Sequence, residues 1–140
     1  MKPVSLAAVM ILVLAPSAAS AENLCGQLGK ALDLAKTGFG AAEGDALPNS
    51  DGHYWRSTIQ LSDGDNCAIE EHRVLSCSWE PSTAKDLKKM VASIAACFPE
   101  AKRQQVKVDE DGPPDVTFKF DDASIEVGLT ADVMSLNVGP

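Results

Sequence analysis

Four cysteines that follow an N-terminal export signal constrain the fold of this 140-residue chain more than any other feature. Residues 1–21 contain one lysine near the start, an apolar run of about ten residues, and the small residues Ala19, Ser20 and Ala21 at the end. This order is typical of a cleaved secretory signal peptide, so we predict a mature chain that begins at Glu22. The cysteines then enter an oxidising compartment, where their even number predicts two disulfide bonds.

The segment that remains, residues 22–140, is long enough for a single domain with one apolar core. The apolar run of the signal is too short to span a bilayer, and no later stretch approaches about 20 apolar residues. A lipid anchor on Cys25 is the alternative, but Leu24 stands where a lipoprotein signal needs a small residue. We therefore expect a periplasmic or secreted protein without a membrane span.

The chain is acidic, with 20 aspartates and glutamates against 12 lysines and arginines and a net charge of -8. Nucleic-acid binding depends on a basic surface that displaces counterions from phosphates, so this balance argues against a nucleic-acid partner. The same charge disfavours adsorption to anionic lipid and favours basic partners.

Apolar periodicity predicts an α+β fold in the order α-βββ-α-ββββ. Helical spacing marks Leu24–Ala35 and Leu87–Phe98, with Ser82 or Thr83 as the cap of the second helix. Alternating apolar residues predict seven strands, at residues 53–61, 67–71, 73–80, 105–109, 116–120, 124–130 and 134–138. Val106 and Val108 are predicted to point into the core. An antiparallel sheet with both helices on one face buries every apolar stripe.

Strand parity favours a bond between Cys67 and Cys77, because a tight turn between their strands sets the two side by side on the core face. The remaining bond, Cys25–Cys97, would then join the ends of two antiparallel helices. One bond from each helix to the sheet is the alternative, either Cys25–Cys67 with Cys77–Cys97 or the crossed version. The chain has no Cys-x-x-Cys pair, so we expect structural rather than redox-active disulfides.

The segment Tyr54-Trp55-Arg56 in the first predicted strand contains the residue types that dominate protein-binding hot spots. Alternation places Trp55 in the core, and Tyr54 and Arg56 on the opposite face, where they are candidate binding residues. The alternative is that Tyr54 covers an open sheet face while Arg56 pairs with a carboxylate.

The glycine-rich segment Thr37–Gly52 is predicted to be a flexible loop and is the second candidate, because binding residues often lie on loops. Phe39 and Leu47 are its large apolar side chains. Each is either an anchor for a partner or a lid on the core.

Neither the histidines nor the acidic clusters predict a metal or cofactor site. His53 and His72 have no partner at a zinc-ligand spacing. The acidic clusters are expected to be solvated turns, and the first of them lacks the continuation and closing glutamate of a calcium-binding loop; they are Asp63/Asp65/Asn66, Asp109–Asp111 and Asp121/Asp122. A small hydrolase that uses His53 or His72 stays an alternative, because triads assemble from distant parts of a chain.

The strand Ser76-Cys77-Ser78-Trp79, followed by a helix that ends in Cys97, is similar to small exported bacterial proteins. The alternation of helix and meander also resembles small inhibitor and secretion-chaperone folds, but a likeness of fold implies no activity. We expect a non-enzymatic protein-binding domain, such as an envelope accessory, inhibitor or immunity-type protein. Its partner would be another protein in the envelope or outside the cell. A small-ligand or lipid carrier is the alternative.

Overall fold

The computed structural model describes residues 16–62, 65–107 and 110–140, with side chains from Asn23 onward. The predicted signal peptide lies for the most part outside these residues, so the signal and its cleavage before Glu22 stay predictions. The first helix begins at Pro16 and therefore includes the last residues of the predicted signal segment.

Two α-helices, eight strands and a short 3₁₀ helix at Gly40–Ala42 make up the described chain. The α-helices and strands are α1 (Pro16–Thr37), β1 (Glu43–Ala46), β2 (Tyr54–Ser57), β3 (Asn66–Glu70), β4 (Val74–Trp79), α2 (Ala84–Cys97), β5 (Lys102–Val106), β6 (Asp115–Lys119), β7 (Ser124–Thr130) and β8 (Val133–Gly139). All eight strands form one antiparallel sheet in the order β1-β2-β3-β4-β8-β7-β6-β5. The predicted α+β class and element order are confirmed, with one additional strand, β1.

The apolar core lies between the helices and one face of the sheet. Alternate strand residues are buried on this face, among them Leu75 and Cys77 of β4 and Leu136 of β8. The helix α2 contributes Leu87, Val91 and Ile94, and α1 contributes the series Leu24, Leu28, Ala31, Leu32 and Ala35. The apolar residues of both helices, spaced three and four positions apart, thus form one continuous apolar layer.

The additional strand β1 lies inside the segment predicted to be a loop. It forms the edge of the sheet beside β2, and three of its four residues are exposed. An edge strand of this kind buries no apolar stripe, so the sequence carries no alternation that would reveal it.

The strand β5 corrects two predictions. It spans Lys102–Val106 rather than residues 105–109, and all five of its residues are exposed. Val106 was predicted to be buried, but it is 46% exposed, because β5 is an edge strand and Val106 pairs with Asp115 on the face of the sheet opposite to buried Val116. Val108 lies outside the described residues.

Both favoured disulfides are present. Cys67 and Cys77 are direct cross-strand partners on β3 and β4, with Cα atoms 4.0 Å apart. Cys25 and Cys97 join α1 to the end of α2, with Cα atoms 5.2 Å apart. For sequence separations of 10 and 72, loop-closure entropy predicts a stabilisation of about 3 and about 4 kcal/mol respectively.

Candidate functional site

The face of the sheet that the helices leave uncovered is the largest candidate surface, and we call it the open face. It consists of the strand residues that alternate with the buried ones. Strand pairing aligns one of its rows across seven strands, from β2 to β5: Arg56, Ala68, Ser76, Asn137, Glu126, Thr117 and Gln104.

The middle of the open face carries small side chains and glycines, so few side chains project from the sheet there. Ser78 of β4 pairs with Ser135 of β8, and both are half-buried, as are Ser76 and Asn137 in the row above. A Cβ atom at Gly128 would collide with the side chain of Asp115, so only glycine lets that carboxylate lie across β7. The middle of the face is therefore a shallow polar floor that offers hydroxyl and amide groups to solvent.

Tyr54 and Arg56 rise at one side of this floor, on β2. Tyr54 is 38% exposed, and its phenol Oη donates a hydrogen bond of 3.0 Å to Glu70 Oε1 on β3. This bond to Glu70, together with the negative charge of Glu70, raises the pKa of Tyr54 above its ordinary value of 10.0. The hydrogen bond to Glu70 therefore fixes the hydroxyl end of the Tyr54 side chain, and the exposed part of the residue remains accessible to a partner.

Arg56 follows Tyr54 on the same face and pairs directly with Ala68 of β3. Its side chain is exposed, and in the described part of the chain no carboxylate lies within ion-pair distance of it. Of the two alternatives raised by the sequence, Tyr54 does pair with a neighbour, whereas Arg56 keeps its guanidinium directed to solvent.

Trp55, between them, lies on the helix side of the sheet. It is half-buried against the core, and its ring stacks on the imidazole of His72 with the centroids 4.0 Å apart. The alternation predicted for this strand therefore describes all three residues.

The two loop candidates have different environments. Phe39 is fully buried, so it packs in the core and is not an anchor on the surface. Leu47 is half-buried, and its backbone N–H donates to the carbonyl of Tyr54 at 2.9 Å. The structure thus brings Leu47 beside Tyr54 and separates Phe39 from both.

Both histidines lie at the same end of the sheet, a grouping that sequence spacing did not reveal. His53 Nδ1 lies 2.7 Å from the carboxylate of Glu71, and His72 Nδ1 bonds the carboxylate of Glu43 on β1. Glu71 and His72 form the β3–β4 turn with φ angles of 52° and 61°, in the left-handed region that favours glycine. The imidazoles therefore link this turn to β1 and to the start of β2.

A second depression lies beyond the C-terminal end of α2 and has a volume of about 880 Å³. Phe98 and Phe120 meet edge to face there, with ring centroids 5.3 Å apart. Charged residues of both signs complete its lining, namely Lys36, Glu100, Lys102, Lys119, Asp121 and Asp122. Its wide mouth and mixed charge indicate no particular ligand.

One acidic cluster has a structural explanation. Asp65 lies near Cys67 and Cys77, but the two sulfur atoms are joined in a disulfide and are not thiolate ligands. The carboxylate of Asp65 instead accepts the backbone N–H groups of Leu61 and Ser62. Residues 63, 64 and 109 lie outside the described ranges, so two of the predicted clusters are described only in part.

The fold and the open face define a class: a disulfide-bonded two-layer α+β domain with one uncovered sheet face. Comparison with family models, with curated proteins and with solved structures finds no match to this chain. Among the described residues, no helix is long and apolar enough to cross a membrane.

Proposed function

We propose that this chain is an exported, non-enzymatic domain that binds another protein of the envelope or the extracellular space on its open face. An accessory, inhibitor or immunity-type protein would use such a surface. The observation that supports the proposal is the position of exposed Tyr54 and Arg56 beside a floor of small polar side chains.

The dimensions of the open face suit a protein rather than a small molecule. Eight strands at about 4.8 Å and five residues at about 3.4 Å give a surface of roughly 35 by 17 Å. A standard protein interface takes about 800 Å² from each partner, which is of the same order. Small residues such as Ser76 and Ser135 let the partner approach the backbone closely.

Tyr54 and Arg56 would provide most of the affinity on this surface. Aromatic and arginine side chains dominate binding energies, and neighbouring small contacts serve mainly to exclude water. Because Glu70 already holds the Tyr54 hydroxyl, binding immobilises few additional rotamers at that ring.

Export is supported by the two disulfides, since such bonds persist in oxidising compartments. The acidic character of the chain, with a net charge of -8, would favour partners with a basic surface. Arg56 would then pair with an isolated carboxylate on an otherwise basic partner.

The test begins with capture of partners from envelope extract by the oxidised protein, followed by identification and purification of the captured protein. We expect Tyr54→Ala and Arg56→Ala each to weaken the measured Kd by roughly tenfold or more, as hot-spot residues do. Lys88→Ala on the exposed side of α2 is the control and should leave the Kd unchanged.

Two results would count against the proposal. One is wild-type affinity in both open-face variants. The other is a rise in thermal stability of the isolated protein with a metabolite or lipid alone, which would indicate the carrier alternative, because a ligand that binds only the folded state raises its melting temperature.

A further inference from the structure

The strand β5 is an edge strand of the sheet. It pairs with β6 on one side and is the last strand of the sheet on the other. All five of its residues, Lys102–Val106, are exposed. The outer edge of such a strand presents unpaired backbone N–H and C=O groups, which are a template for an additional strand.

Positive charge is concentrated at the beginning of β5 and beside it. Lys102 is the direct cross-strand partner of Lys119, an arrangement of like charges that destabilises a sheet unless an anion neutralises it. Arg103 follows on the helix side, with its guanidinium carbon 6.0 Å from the centre of the Phe118 ring. Glu100, Asp121 and Asp122 line the same depression as Lys102 and Lys119, but within the described ranges no carboxylate lies within ion-pair distance of these cations.

At its other end β5 presents one apolar side chain, which precedes the exposed Lys107. Val106 is more exposed than any other large apolar side chain described, at 46%, and it lies on the open face opposite Asp115. The strand therefore presents a backbone template with two cations at one end and an apolar side chain at the other.

We propose that β5 receives an extended acidic segment of a partner protein, which adds to the sheet as an antiparallel ninth strand. In this orientation a β-branched residue of the segment lies opposite Val106. Two residues follow it, and then two consecutive acidic residues lie opposite Arg103 and Lys102. The main-chain bonds would provide affinity, and the order of side chains would provide specificity.

A second copy of this chain fits the edge less well. The acidic strand of the chain is β1, which has four residues and an irregular register between Glu43 and Ala46. The carboxylate of Glu43 is already bonded to His72, which leaves Asp45 as its one acidic group for a neighbour. β5 lies six strands away from β2, which carries Tyr54 and Arg56, so substitutions of those two residues leave the β5 edge unchanged and test the open-face proposal separately.

The probe is the acetylated and amidated peptide Ser-Val-Thr-Thr-Glu-Glu-Ser, titrated into the oxidised protein. We expect saturable binding, with amide NMR shifts confined to β5 and β6 and slowed hydrogen exchange at alternate residues of β5. Lys102→Glu with Arg103→Glu should weaken the Kd at least about tenfold. Lys88→Glu with Lys89→Glu on α2 should change it less than about twofold, which controls for the same change in net charge.

Two further peptides separate strand addition from simple charge attraction. A version N-methylated at the backbone nitrogens that face β5 keeps its charges but loses the N–H donors of the added strand, and it should not bind. A version with lysine in place of both glutamates should not bind either. The proposal is overturned if the glutamate peptide does not bind at millimolar concentration or if the N-methylated peptide binds equally well. It is also overturned if the double charge reversal abolishes a self-association of the free protein, because a second copy would then occupy the edge.

Discussion

Tyr54 shows how far individual residues could be understood from the sequence alone. Alternation along its strand predicted that Tyr54 and Arg56 share the open face, because the side-chain period of a strand is fixed. The bond from Tyr54 to Glu70 was not predictable, since it depends on the register between β2 and β3 across a turn of uncertain length. The pairing of each histidine with a glutamate escaped prediction for the same reason.

Titration of Tyr54 tests its environment directly, because it is the single tyrosine of the chain. Its pKa is raised by the hydrogen bond to Glu70 and by the charge of Glu70, so Glu70→Gln should lower that pKa toward 10.0. Because the pKa is raised in the folded protein, the associated stability is complete below pH 10 and is lost as the pH rises through the folded value.

Ultraviolet absorbance of the phenolate measures this titration. Glu126→Gln provides the control, since Glu126 lies on the open face but on the distant strand β7. Equal midpoints for wild type and Glu70→Gln would show that the Tyr54–Glu70 bond does not govern the pKa.

Whole elements were predictable where they bury an apolar stripe. Leu87, Val91 and Ile94 mark α2, and Thr83 caps it with Asp86 in a reciprocal pair of hydrogen bonds. The edge strands β1 and β5 bury no such stripe, so their existence or their limits depend on backbone pairing that composition does not encode.

The cap of α2 gives a prediction at this scale. Thr83→Ala removes the side-chain acceptor of the Asp86 N–H and should lower the free energy of unfolding by about 1 kcal/mol. The backbone N–H of Thr83, followed by its hydroxyl, holds the pKa of Asp86 below its ordinary value of 3.8. The contribution of Asp86 is therefore present above pH 3.8 and is lost as the pH falls through the folded value.

Denaturant unfolding with the disulfides intact, at neutral pH and in acid, measures this effect. The difference in the free energy of unfolding between wild type and Thr83→Ala should become smaller in acid. Ser93→Ala, in the middle of the same helix, should leave stability equal or slightly higher, because alanine is the better helix former. A similar loss of stability in both variants would contradict a specific capping role for Thr83.

At the scale of the whole molecule, the two faces of the sheet differ in what covers them: helices pack on one face, and the other is the open face. Both disulfides lie on the covered side of the sheet. Cys67–Cys77 links the neighbouring strands β3 and β4 at the core face, and Cys25–Cys97 links the two helices. The helix layer on this face was predictable, because every apolar stripe in the sequence has to be buried. No equivalent requirement acts on the open face, so its polar row is defined only by the pairing of seven strands.

The affinity of the Ser76→Arg variant for the captured partner tests the central claim most directly. Ser76 lies within the polar row, between Ala68 and Asn137. An arginine there would cover the small side chains of the open face without disturbing the core. We predict that Ser76→Arg weakens the Kd by roughly 30-fold or more, while Ala92→Arg on the exposed side of α2 leaves it unchanged. Equal affinity of the two variants, both folded, would contradict binding at the open face.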